Sequence, residues 1–202
     1  MKALLIAALS IFVYTNTLTA QVGIGTVSPT SELEIEGTDT GIPALELNPQ
    51  SAPVGDAMGQ LAVIGDLLYM YDDARDKWLS VESTALQFGN ESSISSNNLF
   101  FGGELQNNGS GPQMPFDGTI VYLTVQTSNS TSRRMDIRIN GSNVGNNADP
   151  TLDAQFNLSS GTFSFSQFNI DFDAEDYISL NVNSNGSDPE DTAAIIWVKW
   201  RQ

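Results

Sequence analysis

The chain has no cysteine and no histidine among its 202 residues. Without cysteine there are no disulfides, so an exported protein of this sequence must be held together by its core and its contacts alone. Without histidine there is no Ser-His or Cys-His nucleophilic system. The commonest general base and the usual ligand of zinc, copper and iron are missing too. What remains chemically is carboxylate work or calcium. Basic residues are scarce as well, 8 against 24 acidic ones, for a formal net charge of −16. Such a surface repels phosphate backbones and anionic bilayers, so neither nucleic acid nor a membrane is an expected partner. Helical periodicity is absent along the whole chain, which predicts an all-β protein.

The longest apolar stretch, Ala3 to Val13, is broken only by Ser10 and follows the single positive charge of Lys2. It is too short for a membrane span, and a polar run leads from it to the small residues Thr19-Ala20. This is the layout of a secretory signal peptide over residues 1–20, cleaved near Ala20. The mature protein is then expected to be secreted or displayed at the cell surface. Removing the leader takes away Lys2 and leaves 7 basic against 24 acidic residues, a net charge of −17.

Two regions follow. Residues 21–82 carry short apolar pieces between turn residues: Val22-Gly23-Ile24, Leu33-Glu34-Ile35, Ala44 to Leu47 and Leu61 to Ile64. The region ends in Leu67 to Tyr71 and Lys77-Trp78-Leu79, which predict a hairpin turning through Asp72 to Asp76. So few large apolar residues cannot bury a core alone, but three copies pooled around an axis can, so this region is expected to form a trimeric β-stalk.

Residues 83–202 show longer strands of period two. Val121, Leu123 and Val125 alternate with Ile120, Tyr122 and Thr124. Met135, Ile137 and Ile139 lead to the tight-turn pair Asn140-Gly141. Phe163, Phe165, Phe168, Ile170 and Phe172 follow, then Ile178, Leu180 and Val182 ahead of Asn185-Gly186. Weaker strands are expected around Leu86 to Phe88, Leu99 to Phe101 and Leu152 to Leu158. About eight strands over this length is the size of a jelly roll, a two-sheet β-sandwich. The last strand is apolar on both faces, with Ile196, Val198 and Trp200 on one and Ile195 and Trp197 on the other. A strand of a lone antiparallel sandwich normally wets one face. The second face therefore needs cover, and another copy of the same chain is the simplest supplier.

Two stretches resemble known families. The start of the mature chain, QVGIGTVSP…LEIEGTDTG, followed by LLYMYDDARDKWLSV, resembles secreted Bacteroidota proteins that open with a QVGIGT box and continue into an LY-x-Y…W hairpin. The same box recurs in phage tail fibres and related trimeric stalks. The stretches MPFDGTIVYLTVQT, MDIRINGSNV, FDAEDYISLNV and AAIIWVKW resemble the trimeric jelly-roll heads of complement and tumour-necrosis-factor-like proteins. Pro115, Phe116, Gly118 and Thr119, then Ile139, Asn140 and Gly141, match that pattern; Ala174 to Ile178 lacks the glycine of its Gly-Asp turn. The resemblance implies a homotrimer with the last strand central in the inner sheet, and with Ile195, Trp197 and Tyr122 at the subunit interface.

Few residues suggest chemistry. Asp171, Asp173 and Glu175 alternate along the densest acidic cluster and are the expected ligands if calcium binds. Asp176 and Val182 occupy the positions where a helix-loop-helix calcium site needs Gly and Glu, so that motif fails. Asp72, Asp73 and Asp76 are turn formers. Arg133-Arg134 are expected to pair with acids across subunits, and Asp191-Thr192-Ala193 resembles a short O-glycosylation acceptor. No catalytic residue is expected. The leading expectation is a secreted, non-enzymatic homotrimer serving as fibre tip, adhesin or surface structural protein. Loops such as 140–149 and 183–191 would bind glycans or surface polymers, a weak site gaining strength by threefold repetition. Two readings stay open beside it: a monomeric calcium-dependent carbohydrate-binding module, and a trimeric tail-spike-like glycan hydrolase.

Overall fold

A computed structural model describes residues 22–37, 41–102, 111–131, 135–143, 161–183 and 186–202. The signal peptide expected over residues 1–20 lies outside them, as do Arg133, Arg134 and the strand expected at Leu152 to Leu158. The described residues are all-β, with fourteen strands and no helix. None of their segments is a helix long and apolar enough to cross a membrane.

The chain divides at Asn48 into two compact units. In the first, strands β1 (Val22–Ile24) and β2 (Leu33–Ile35) pair in parallel, Val22 opposite Leu33 and Ile24 opposite Ile35. Val22, Ile24, Val27, Leu33, Ile42, Leu45 and Leu47 are all exposed. Residues 44–47 form no strand. Two short strands with their apolar side chains in water do not make an independently stable sheet.

The second unit, Pro49 to Gln202, holds everything else. It begins with an antiparallel sheet of β3 (Leu61–Ile64), β4 (Leu67–Asp72) and β5 (Lys77–Ser80). Its small core is Ala62, Ile64, Tyr69, Tyr71 and Trp78. These are the Tyr and Trp residues of the LY-x-Y…W pattern, so the pattern encodes a miniature core. Residues 50–60 close over it. Gly55 lies flat on the Tyr71 ring, where any Cβ would collide, and Trp78 Nε1 donates to the Pro53 carbonyl at 2.9 Å. The β4–β5 turn is built as its residues predict: Asp72 Oδ1 accepts from Arg75 N at 3.1 Å, and Asp76 takes the left-handed conformation. The Tyr71 hydroxyl donates to Asp76, and that bond pushes the phenol up to about 12.

The sandwich follows. One sheet contains β6 (Thr84–Ser93), β7 (Phe100–Phe101), β8 (Gly118–Gln126), β11 (Thr162–Phe165), β12 (Ile170–Phe172) and β14 (Glu190–Trp200). Its order is β11-β8-β14-β6-β7, with β12 also on β8, so β14 is central. The other sheet has β9 (Met135–Ile139), β10 (Ser142–Asn143) and β13 (Ile178–Val182), in the order β10-β9-β13. Leu86, Phe88, Ile120, Leu123, Ile137, Phe168, Leu180 and Ile196 belong to the core between them. Burying each side chain of this size contributes roughly 1.5–3 kcal/mol. Asn140 and Gly141 both have positive φ, at 51° and 78°, and close the β9–β10 hairpin. Gly186 has φ 92°, while Asn185 lies outside the described residues.

Two expectations are corrected. Val121, Leu123 and Val125 do not share a face. A bulge puts Trp197 opposite Tyr122 but Val198 opposite Ile120, so Val121 is the extra residue. The alternation inverts there, and Ile120 joins Leu123 and Val125 in the core. The hairpin of residues 67–79, grouped with the stalk on sequence, sits in one compact unit with the sandwich. Arg75 Nε donates to the Phe168 carbonyl at 2.7 Å and its Nη2 to the Ser166 carbonyl at 3.0 Å. Trp200 N donates to Ser80 Oγ at 2.9 Å on the other side of the junction.

Candidate functional site

The outer face of the six-stranded sheet is built by the alternation of β14. Ile196 and Val198 are 0 % exposed in the core, so Ile195 and Trp197 point the other way and are half-buried. The bulge in β8 brings Tyr122 directly opposite Trp197, and Thr124 lies opposite Ile195. On the other side of β14, Ala85 pairs with Trp197 and Gln87 with Ile195. The three residues expected at an interface, Tyr122, Ile195 and Trp197, are thus gathered into one patch on the central strands.

Beside the patch runs a shallow groove of about 350 Å³, lined by Thr124, Gln126, Thr162, Ser164, Ala193 and Ile195 among others. Neither the patch nor the groove lining carries a charge. On a chain with 24 carboxylates this matters, because an acidic side chain there would be desolvated against its own copy in any association. Gln126 and Ser164 were not singled out from the sequence. The period-two signal that would have placed them on this face was present, but they are polar.

The acidic cluster is spread out by its turn. Asp171 lies opposite Thr119 on the paired strand and accepts from Thr119 Oγ1 at 2.6 Å and from Lys77 Nζ at 2.7 Å. Burial pushes the Asp171 carboxyl up, but the Lys77 and Thr119 bonds and the charges of Lys77 and Arg201 outweigh it. The net displacement is below the ordinary value. Asp173 pairs with Arg201 at 3.1 Å. Glu175 occupies a left-handed turn position with φ 71°, and Asp176 Oδ2 accepts from Asp173 N at 2.8 Å. Among the described residues no three His, Cys, Asp or Glu side chains converge on a metal position. Of the three residues expected to hold calcium, Asp171 is engaged by Lys77 and Thr119 and Asp173 by Arg201, while the Glu175 backbone carbonyl accepts from Gln113 Nε2.

Arg75 and Lys77 carry roles that sequence reading missed. They are the only basic residues between positions 21 and 82, which was the available signal. The Asp191-Thr192-Ala193 acceptor reading is corrected. Thr192 lies within β14 with its side chain buried and its hydroxyl without a partner, so no sugar can be attached in the folded protein. Of the loops expected to bind glycans, 140–143, 183 and 186–191 are described, and the remainder lies outside the described residues. Comparison with known protein families, curated proteins and solved structures finds no match to the chain.

Proposed function

We propose that this protein is a secreted, non-enzymatic homotrimer, a fibre tip, adhesin or structural component at the cell surface. Its loops would meet glycans or surface polymers. The observation that carries the reading is the uncharged, half-buried patch of Tyr122, Ile195 and Trp197 at the centre of the six-stranded sheet. A lone sandwich of this acidity has little reason to keep tryptophan, isoleucine and tyrosine together where water reaches them. Another copy of the same chain brings an equally uncharged face, on a protein with 24 acidic residues. Residues 22–48 add support, since their exposed apolar side chains need cover of the same kind.

The absence of native cysteine makes the test clean. Ile195→Cys should cross-link spontaneously into covalent dimers within the assembly, since residues nearest a threefold axis approach their own copies. Glu91→Cys, at an exposed position near the end of β6, should not. Equal cross-linking of both, or of neither, contradicts this placement of the interface.

A further inference from the structure

A second concavity lies between the β3–β4 turn and the corner at residues 115–117. It measures about 370 Å³, within the usual range of small-molecule clefts. We propose that it is a binding site for a short neutral saccharide. This shares the glycan element of the proposed function but neither its loops nor its trimer, so each can fail alone.

The platform is Phe116, 57 % exposed and the most exposed aromatic side chain on the described surface. Its ring is not loose: it meets Trp200 edge-on, with centroids 5.7 Å apart and planes at 79°. Trp200 is itself braced by Phe172 at 6.4 Å. The backbone beneath is pinned, Arg201 N donating to the Asp117 carbonyl at 2.9 Å. Ala174 N donates to Asp117 Oδ1 at 2.8 Å, which orients that carboxylate. Asp66 stands on the opposing wall, in a two-residue turn made possible by the positive φ of Gly65.

The ligand class follows from these groups. A wholly apolar guest would strip water from Asp66 and Asp117 without replacing its hydrogen bonds. An anion would meet two carboxylates, while the guanidinium in the wall, Arg201, is already engaged by Asp173 and the Phe172 carbonyl. A sugar ring satisfies both conditions. Its C–H face lies on an aromatic ring, and its hydroxyls donate to carboxylates in charge-assisted bonds. The volume accommodates a monosaccharide or disaccharide.

The test titrates residues 21–202 with neutral hexoses, N-acetylhexosamines and their disaccharides, followed by calorimetry and saturation-transfer NMR. A hexuronic acid and a simple alkylamine serve as charged probes. At least one neutral sugar should bind in the millimolar range, and F116A and D66N should each weaken it about tenfold. D66N should keep the native melting temperature because Asp66 is exposed. F116A should lower it only slightly, through the lost edge contact with Trp200. Both should keep the native mass. The proposal is overturned if no neutral sugar binds, if both variants bind as the native chain does, or if a charged probe is preferred.

Discussion

Lys77, on the three-stranded sheet, places its ammonium 2.7 Å from Asp171 Oδ1 on β12 of the sandwich. The lysine side chain is 13 % exposed and the carboxylate 45 %. With Thr119 and Arg201 also turned towards Asp171, this one carboxylate ties a small sheet to a large one.

The pair predicts an acid-sensitive junction. Lys77→Met should cost about 0.5–1 kcal/mol in urea unfolding at neutral pH, the modest value reflecting solvent screening at Asp171. Because the folded Asp171 titrates below its unfolded value, its contribution is intact above roughly pH 4 and is lost as pH falls through the folded value. The native and Lys77→Met stabilities should therefore converge in strong acid. A difference that persists unchanged there contradicts the assignment.

Arg75 should matter more. Its guanidinium serves the Phe168 and Ser166 carbonyls and the Asp72 carboxylate at once. Arg75→Ala should destabilise the chain by about 1.5–3 kcal/mol. Arg75→Lys should recover less than half of that, since an ammonium cannot reproduce the planar fork. Full rescue by lysine in a chemical denaturation series would reduce the residue to a simple charge.

Gly118 marks where a short sequence motif meets packing. A Cβ there would lie 2.3 Å from the Phe172 ring and 2.8 Å from the Lys199 carbonyl. Gly118→Ala is expected to cost about 1–3 kcal/mol through strain. Thermal unfolding that matches the native chain would show that Phe172 and β14 yield freely.

Millimolar calcium should leave the melting temperature unchanged, because two of the three expected ligands, Asp171 and Asp173, already serve Lys77 and Arg201. A rise with calcium, abolished by Asp173→Asn, would restore the metal reading.

The sequence displayed the strands well where alternation was strict. Ile178, Leu180 and Val182 are buried as their spacing predicts, and Asn140-Gly141 turns where that pair should turn. It hid what depends on single insertions or on distance. One bulged residue, Val121, inverts the faces of half a strand without altering composition. The hairpin looked independent because its own core, Tyr69, Tyr71 and Trp78, is local. Its attachment to the sandwich runs through Arg75 and Phe168, 93 positions apart. Ile195 and Trp197 were legible as a second apolar face, while the crevice beside Phe116 exists only once the β3–β4 turn and the 115–117 corner are brought together.

Neighbouring residues of β14 should separate folding from assembly. Ile196→Ala removes a core side chain and should cost about 2–5 kcal/mol. Trp197→Ala should leave each folded chain intact but lower the mass of the particle. The central claim is tested most directly by the molar mass of residues 21–202, measured by light scattering behind a sizing column. The account predicts three times the chain mass for the native protein and a smaller particle for Trp197→Ala. A native monomer at micromolar concentration would contradict it.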